Sequence, residues 1–155
     1  MKFATKEDVE APISTVFGML SDFEVFERSA IRRGAEVNRV GEHEYPREGQ
    51  TWRSSFVLRG KTRNVEVELV RYAPPMAMEF EAISGGLTTK LNVDLVALAS
   101  NRTRITVEFD VKPRTLPARL FVQSMKLAKN NLTKRYKLRV AEFARTIEEK
   151  YTRLA

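Results

Sequence analysis

Few side chains in this sequence could carry out a reaction. The one histidine, His43, lies in a polar stretch before Pro46, where it could act as a general base or could simply be an exposed loop residue. The chain has no cysteine, which excludes a disulfide scaffold, a thiolate metal site and a cysteine nucleophile. A single histidine also excludes a multi-histidine metal cluster. The sequence therefore predicts no metal and no cofactor, and it identifies no catalytic residue.

A larger set of residues could bind a ligand without transforming it. Where polar and apolar side chains alternate along strands, one face of the sheet collects the apolar ones. Aromatic and methionine side chains on that face can line a pocket or fill an ordinary core, and the sequence leaves both interpretations open. The predicted ligand-binding residues, on that face or on the helix opposite it, are Trp52, Ser54, Phe56, Val67, Met78, Phe80, Thr89, Leu91, Phe109, Phe121, Met125 and Lys129.

Four polar residues near this face have two interpretations each. The hydroxyls of Ser54 and Thr89 could orient a ligand or could bond the neighbouring backbone. Arg71 continues the parity of the apolar residues before it, so it could bind an anion at the cavity mouth or end its strand in solvent. At 100° per residue, Lys129 falls within the apolar arc of the C-terminal helix, where it could face a cavity opening or extend past the apolar edge into water.

The elements that position these residues begin with a strand over residues 2–10. Pro12 suits the first turn of a helix, and apolar residues then recur at helical spacing from residue 13 to residue 20. Ser21 and Glu24 match a capping box, which predicts a second short helix that starts at Ser21. Gly34 is a fitting end for that helix.

The rest of the chain is divided between strands and one helix. From about residue 35 to residue 111 the apolar period is two, which is typical of half-exposed antiparallel strands. Turn signals separate these strands at Gly60-Lys61, Pro74-Pro75, Gly85-Gly86 and Ser100-Asn101. After Pro117 there is neither Gly nor Pro, and the apolar spacings of one, three and four predict one long amphipathic helix that overhangs or bends.

These elements predict an α+β fold and a single domain over residues 1–155. Its antiparallel sheet of about seven strands would curl around the long C-terminal helix. The two short helices that follow the first strand would close one end of the sheet.

The charge distribution suggests a second kind of partner. The net charge is +7, and the whole excess lies in residues 117–155. This basic block could contact RNA, a ribosome or an anionic membrane, or it could be a solvated helix face. It lacks interleaved exposed aromatic residues, which leaves only phosphate contacts for nucleic acid. The predicted contact residues are Lys126, Lys134, Arg135 and Lys137.

The N-terminus is charged where a signal peptide would be apolar. No apolar run approaches the ~20 residues that a membrane-spanning helix needs. The sequence therefore predicts no transmembrane segment and a cytoplasmic location.

The order of the motifs resembles one known superfamily over essentially the whole chain. Val9-Glu10-Ala11-Pro12-Ile13 leads into a helix that ends at Ser21-Asp22, Gly49 and Trp52 open the strand meander, Pro74-Pro75 marks a turn, and residues 138–147 lie in the terminal helix. This set resembles the START-like (SRPBCC, Bet v 1-like helix-grip) superfamily, and most closely its bacterial polyketide cyclase/dehydrase and lipid-transport members. The resemblance implies a hydrophobic cavity between the sheet and the long helix, and it is far less specific for function than for fold.

Three functions are compatible with these features. The first is a carrier or sensor that binds a small hydrophobic molecule such as a lipid, quinone or polyketide-like compound, which needs a cavity above ~300 Å³. The second is a cyclase or aromatase-type enzyme that uses the same pocket, although titratable residues on the inward face are scarce. The third is an interaction protein whose basic helix docks on RNA, a ribosome or an anionic membrane.

Overall fold

The computed structural model describes residues 1–41 and 46–154, and His43, for which two interpretations were open, lies outside the described residues. The described part is an α+β helix-grip fold, a seven-stranded antiparallel sheet packed against helices, as the sequence predicts. The elements in chain order are β1 (Lys2–Val9), α1 (Ile13–Leu20), α2 (Phe23–Arg32), β2 (Glu36–Val40), β3 (Thr51–Leu58), β4 (Lys61–Ala73), β5 (Ala77–Ser84), β6 (Leu87–Ala99), β7 (Arg102–Pro113), α3 (Leu116–Leu127) and α4 (Lys129–Leu154).

Strands β2 to β7 form an antiparallel meander, and β1 is added at the β7 edge. The strand order of the sheet is β1-β7-β6-β5-β4-β3-β2, so β1 pairs with the last strand and β2 forms the opposite edge. The four turn signals all lie at junctions between successive strands of this meander. At the β3–β4 junction, Arg59 and Gly60 have φ of 52° and 75°, which is the geometry of a tight two-residue hairpin.

The strand register places the apolar series of neighbouring strands on one face, called here the inner face. Val67 lies opposite Trp52, Phe80 opposite Leu69, and Leu91 opposite Phe80. Since the side-chain period of a strand is two, each series then points to the same side of the sheet. The alternation predicted for residues 51–58 and 65–69 is confirmed.

A β-bulge in β4 changes the parity after Leu69. The register shifts between Leu69 and Arg71, so Arg71 lies opposite Glu79 and Tyr72 lies opposite Met78. The inserted residue turns Arg71 to the outer face, where its guanidinium lies 3.5 Å from the Glu79 carboxylate. Arg71 therefore cannot bind an anion at the cavity mouth, and of its two interpretations the solvent-exposed one is correct.

The capping box predicted at Ser21 is wrong. Ser21 ends α1, where its hydroxyl donates to the carbonyl of Phe17 at 2.8 Å, and Asp22 is the residue before α2. The Ser21 hydroxyl also bonds the Tyr72 hydroxyl at 3.0 Å, which ties the junction of the two helices to β4. The predicted end of α2 is confirmed, because the helix finishes at Arg32 and Gly34 has a φ of 95°.

The long C-terminal helix is interrupted at Ala128. The Ala128 N–H bonds the carbonyl of Met125, one residue short of the α-helical partner, and α4 begins at the next residue. Leu127 is 92% exposed at this break. The two segments pack on different strands, α3 against β7 and α4 against β1 and α1. A single straight helix could not follow both strands of a twisted sheet, so the one long helix that the sequence predicts is divided into two helices.

The tightly packed core lies at the end of the inner face covered by α1 and the C-terminal half of α4. Leu69, Ile105 and Ile147 are almost completely buried there. The side chains that form this cluster include Val9, Val16, Phe17, Leu69, Met78, Val93, Leu95, Ile105, Ala144 and Ile147. The other end of the inner face, beneath α3, is packed less tightly.

Candidate ligand-binding cleft

The part of the inner face beside α3 carries half-buried side chains, and from them we infer a candidate cleft between the sheet and this helix. The helix rests on β7 at one side, with Ala118 and Val122 buried, and at the other side Phe121 reaches the β3–β4 hairpin. It thus bridges over the strands between them. Inward side chains beneath the bridge are only half-buried although they are largely apolar. We define the inner cleft by Ser54, Phe56, Val65, Val67, Ala82, Thr89, Leu91, Phe121 and Met125.

An aromatic cluster closes the deep end of the cleft. Phe23 of α2 meets Trp52 edge-on, with ring centroids 5.2 Å apart, and Phe80 lies 6.0 Å from Phe23. Edge-to-face contacts of this kind stabilise a fixed mutual orientation of the rings. Trp52 is 7% exposed, so α2 holds its indole against the end wall of the cleft.

The indole of Trp52 is held by a carboxylate on α2. Its Nε1–H donates to Glu27 at 2.7 Å, and Arg39 of β2 donates to both oxygens of the same carboxylate at 2.6 and 3.0 Å. Burial raises the pKa of Glu27, but the hydrogen bonds from Arg39 and Trp52 together lower it by a larger amount. The pKa of Glu27 is therefore below its ordinary value. Glu27 is therefore an ionised positioning residue that accepts three hydrogen bonds.

Two arginines stand at the mouth of the cleft, around one phenylalanine. The guanidinium carbons of Arg59 and Arg63 lie 5.2 and 5.5 Å from the ring centroid of Phe121. Arg59 also donates to the Ser124 hydroxyl of α3 at 3.2 Å. Arg63 lies opposite Phe56 on the inner face, and its Nε is buried with no hydrogen-bond partner in the described part of the chain.

Arg63 is not among the predicted ligand-binding residues, although the sequence carries a signal for it. Arg63 shares the parity of Val65, Val67 and Leu69, so the same alternation places it on the inner face. The prediction followed that series toward Arg71 instead, where the bulge reverses the parity.

The structure brings most of the predicted ligand-binding residues to the cleft but leaves three outside it. Met78 is 1% exposed within the core, opposite Tyr72. Phe109 packs with Phe3 and Tyr136 under α4. Lys129 is exposed as the first residue of α4, because the break at Ala128 resets the helical phase assumed for an unbroken helix. The residues at the cleft or its end wall are Trp52, Ser54, Phe56, Val67, Phe80, Thr89, Leu91, Phe121 and Met125.

The Tyr136 hydroxyl is engaged in structure. It donates to the carbonyl of Val107 at 2.7 Å, which ties α4 to β7. Burial, together with the nearby Glu108 carboxylate, raises the pKa of Tyr136 to about 12. This phenol therefore stays protonated at neutral pH and has its proton committed to the backbone.

Two depressions elsewhere on the surface are open to solvent and are lined mostly by polar residues. One depression of about 400 Å³ lies at the β1 edge beside Lys137, and another of about 530 Å³ lies mainly on the outer face around Arg53 and Asn64. No cluster of three metal-ligating side chains occurs among the described residues. Within the same ranges, no helix combines the length and the apolar character needed to cross a membrane.

The basic side chains of the C-terminal segment point to solvent. Lys126 on α3 and Lys134, Arg135 and Lys137 on α4 are all exposed. A solvated helix face accounts for this arrangement as well as an anionic partner would. Contact with an anionic surface through these residues stays a prediction.

Comparison with known proteins agrees with this architecture. A sequence model of the family described as polyketide cyclase / dehydrase and lipid transport matches residues 1–148. Comparison with curated proteins finds no significant match.

Three solved structures illustrate the likeness in fold. A Thermus thermophilus protein has 14% identity and a TM-score of 0.63, covering 100% of this chain and 99% of its own. A START superfamily protein from Mycobacterium smegmatis has 13% identity and a TM-score of 0.56, covering 86% of this chain and 95% of its own. An aromatase/cyclase from a Streptomyces species has 17% identity and a TM-score of 0.56, covering 86% of this chain and 88% of its own.

Proposed function

This chain belongs to the polyketide cyclase/dehydrase and lipid-transport family, and from that premise we propose that it binds a small hydrophobic molecule in the inner cleft and acts as its carrier or sensor. The observation that carries the proposal is the contrast between the two ends of the inner face. Leu69 and Met78 are packed to near-zero exposure, whereas Val65, Val67 and Leu91 on the same face remain half-buried beneath α3.

The physical argument concerns the apolar surface left in the cleft. Protein cores pack to the density of organic crystals, so a face designed as plain core would be buried along its whole length. Burying exposed apolar surface contributes roughly 25 cal/mol per Å². A hydrophobic ligand beneath α3 would gain that contribution, while the aromatic end wall at Trp52 would limit how far it penetrates.

Carriage is favoured over catalysis by the state of two ionisable groups, Glu27 beside the end wall of the cleft and Tyr136 under α4. The Glu27 carboxylate is occupied by Arg39 and Trp52, and the Tyr136 proton is donated to a backbone carbonyl. A general base needs an available lone pair within reach of its substrate. The lowered pKa makes the Glu27 carboxylate a weak base, and the raised pKa keeps the Tyr136 phenol protonated, so neither is suited to remove a proton and the proposed role is binding rather than reaction.

A fluorescence titration tests the proposal. Trp52 is the one tryptophan of the chain, so quenching of its emission reports a ligand at the end wall of the cleft. We expect N-phenyl-1-naphthylamine, a neutral apolar probe, to quench it saturably. Val65→Phe should fill the cleft and weaken the probe's affinity about tenfold or more.

A matched substitution on the other face provides the control. Val57 is 71% exposed on β3 and points away from the cleft, so Val57→Phe should leave the affinity unchanged. The proposal fails if the probe does not quench Trp52, or if the two variants alter binding equally while both remain folded by circular dichroism.

A further inference from the structure

We propose that the molecule bound in the inner cleft is an amphipathic carboxylate, with its acidic group held by Arg63 and Arg59 at the mouth and its apolar part directed toward Trp52. This inference rests on the proposed function, because it specifies the ligand class of the same cleft. It is carried by the position of the two guanidinium groups around Phe121 and by the buried, unpaired Nε of Arg63.

Arg63 is a half-buried charged residue on the inner face of the sheet. Its strand places it on the inner face opposite Phe56, between Lys61 at the hairpin and Val65 at the start of the apolar series. Its Nε is buried and has no hydrogen-bond partner among the described residues. A buried donor left unpaired costs about 1–3 kcal/mol, and more when the group is charged.

The two arginines have no carboxylate partner in the described part of the chain. By contrast, some other arginines form ion pairs, among them Arg39 and Arg104, whose guanidinium groups lie within 3 Å of a carboxylate. Arg59 is exposed and Arg63 is half-buried, so the mouth of the cleft carries two positive charges that no carboxylate of the described ranges neutralises.

The contact with Phe121 leaves the guanidinium groups able to bind oxygen atoms. A cation above an aromatic face is attracted by the ring, while its N–H groups, which lie in the guanidinium plane, stay available around the edge. Arg59 uses one nitrogen for Ser124 and retains the others. Planar guanidinium forks match the two oxygens of a carboxylate, so this acid in particular fits the site.

The geometry also explains why the ligand would be amphipathic rather than a small anion. Phe56, Val65 and Phe121 adjoin the arginines, and the half-buried apolar surface continues from them toward Trp52. A free inorganic anion would pair with the arginines but would leave that apolar surface in contact with water. A carboxylate with an apolar body would satisfy both ends.

A pair of probes that differ only in charge tests the inference. cis-Parinaric acid at pH 8 is an anionic polyene, its methyl ester is the neutral counterpart, and both accept excitation energy from Trp52. We expect the acid to bind about tenfold or more tightly than the ester. Arg63→Met should weaken binding of the acid about tenfold and leave binding of the ester unchanged, since a hydrogen bond to a charged group accounts for that factor.

Two further variants separate local contact from overall charge. Arg53 is on β3 with its side chain on the outer face near Glu66, so Arg53→Met removes the same charge away from the cleft. It should leave binding of both probes unchanged. Arg63→Lys keeps the charge but loses the planar fork, and it should weaken the acid by less than Arg63→Met does.

The outcomes distinguish this inference from the proposed function. If the ester binds and Arg63→Met weakens both probes equally or neither, the carboxylate assignment is wrong while the cleft stands. If Arg53→Met weakens the acid as much as Arg63→Met, the preference comes from net charge, and the assignment is again wrong. If neither probe receives energy from Trp52, both the carboxylate assignment and the cleft are wrong.

Discussion

Removing the Glu27 carboxylate should destabilise the protein by an amount set by its three hydrogen bonds. Hydrogen bonds to a charged group contribute about 1.5–3 kcal/mol, whereas a partly exposed ion pair contributes roughly 0.5 kcal/mol. Glu27 is 17% exposed and Arg39 is 32% exposed, so the pair between them belongs near the lower figure. The indole N–H of Trp52 would be left unpaired in the core. We therefore expect Glu27→Ala to lower the free energy of unfolding by about 2–3 kcal/mol.

Urea unfolding followed by circular dichroism measures this loss, and two variants separate its parts. Glu27→Gln keeps an acceptor for the indole and loses the charge, so it should cost about 1 kcal/mol. Arg39→Met removes only the half-exposed fork and should cost less than about 1 kcal/mol. In a chain of this size the loss in Glu27→Ala corresponds to a fall in Tm of roughly 4–12 °C.

The pH dependence gives an independent check on the same carboxylate. Burial raises the pKa of Glu27, but the bonds from Arg39 and Trp52 lower it below its ordinary value of 4.5. A carboxylate with a lowered folded-state pKa contributes stability above its unfolded value and loses it as the pH falls through the folded value. The stability gap between wild type and Glu27→Gln should be complete at pH 7 and close below pH 4.5. Equal stability of wild type and Glu27→Ala, or a gap that persists in acid, would refute the reasoning.

Three other predictions concern the frame around the cleft. A Cβ on Gly86 would lie 2.5 Å from the Thr115 hydroxyl that caps α3, and the φ of Gly86 is +82°. Gly86→Ala should therefore lower the free energy of unfolding by about 2 kcal/mol or more in urea unfolding. The loss should be clearly larger than that of Gly85→Ala, because a Cβ on Gly85 meets open space. Tyr72→Phe loses the hydrogen bond to the end of α1 and should cost about 1 kcal/mol in the same assay, so an unchanged midpoint would contradict that contact. Because the pKa of Tyr136 is raised from 10.0 to about 12, its contribution to stability is complete below pH 10 and declines from pH 10 to 12. In thermal unfolding, Tyr136→Phe should lack this decline. A parallel decline in wild type and variant would contradict the prediction.

The fold was predictable because its signals are regular and local. The alternation through Trp52 and Phe56 follows from the two-residue period of a strand alone. Pro12 has a restricted φ at the start of α1, and Gly34 adopts a positive φ that other residues rarely adopt after α2. Such signals are independent of the rest of the molecule. They therefore fixed the order of the elements and the side of the sheet that collects apolar residues.

The site was less predictable because it depends on departures from regularity. Because of the bulge after Leu69, Tyr72 and not Arg71 lies on the inner face. No turn residue marks this bulge in the sequence. The break at Ala128 has neither glycine nor proline and arises from packing on two different strands, so the phase assigned to Lys129 was wrong. An error of one residue in register is enough to move a side chain from the cleft to solvent.

Arg63 shows a different kind of omission. Its position follows from strand parity, but its importance follows from an unpaired buried Nε and from the ring of Phe121, which lies far away in sequence. Unmet hydrogen bonding is a property of the folded surroundings, so sequence patterns alone do not report it.

The central claim is that the inner cleft holds an apolar ligand, and native extraction tests it most directly. Protein purified without denaturation is extracted with organic solvent and analysed by mass spectrometry, beside Val65→Phe protein purified in the same way. The account predicts an apolar molecule in stoichiometric amount with the wild type and its loss from the variant, and the further inference predicts that this molecule is a carboxylic acid. An equal amount of the same molecule from wild type and folded Val65→Phe protein would place it outside the cleft and contradict the account.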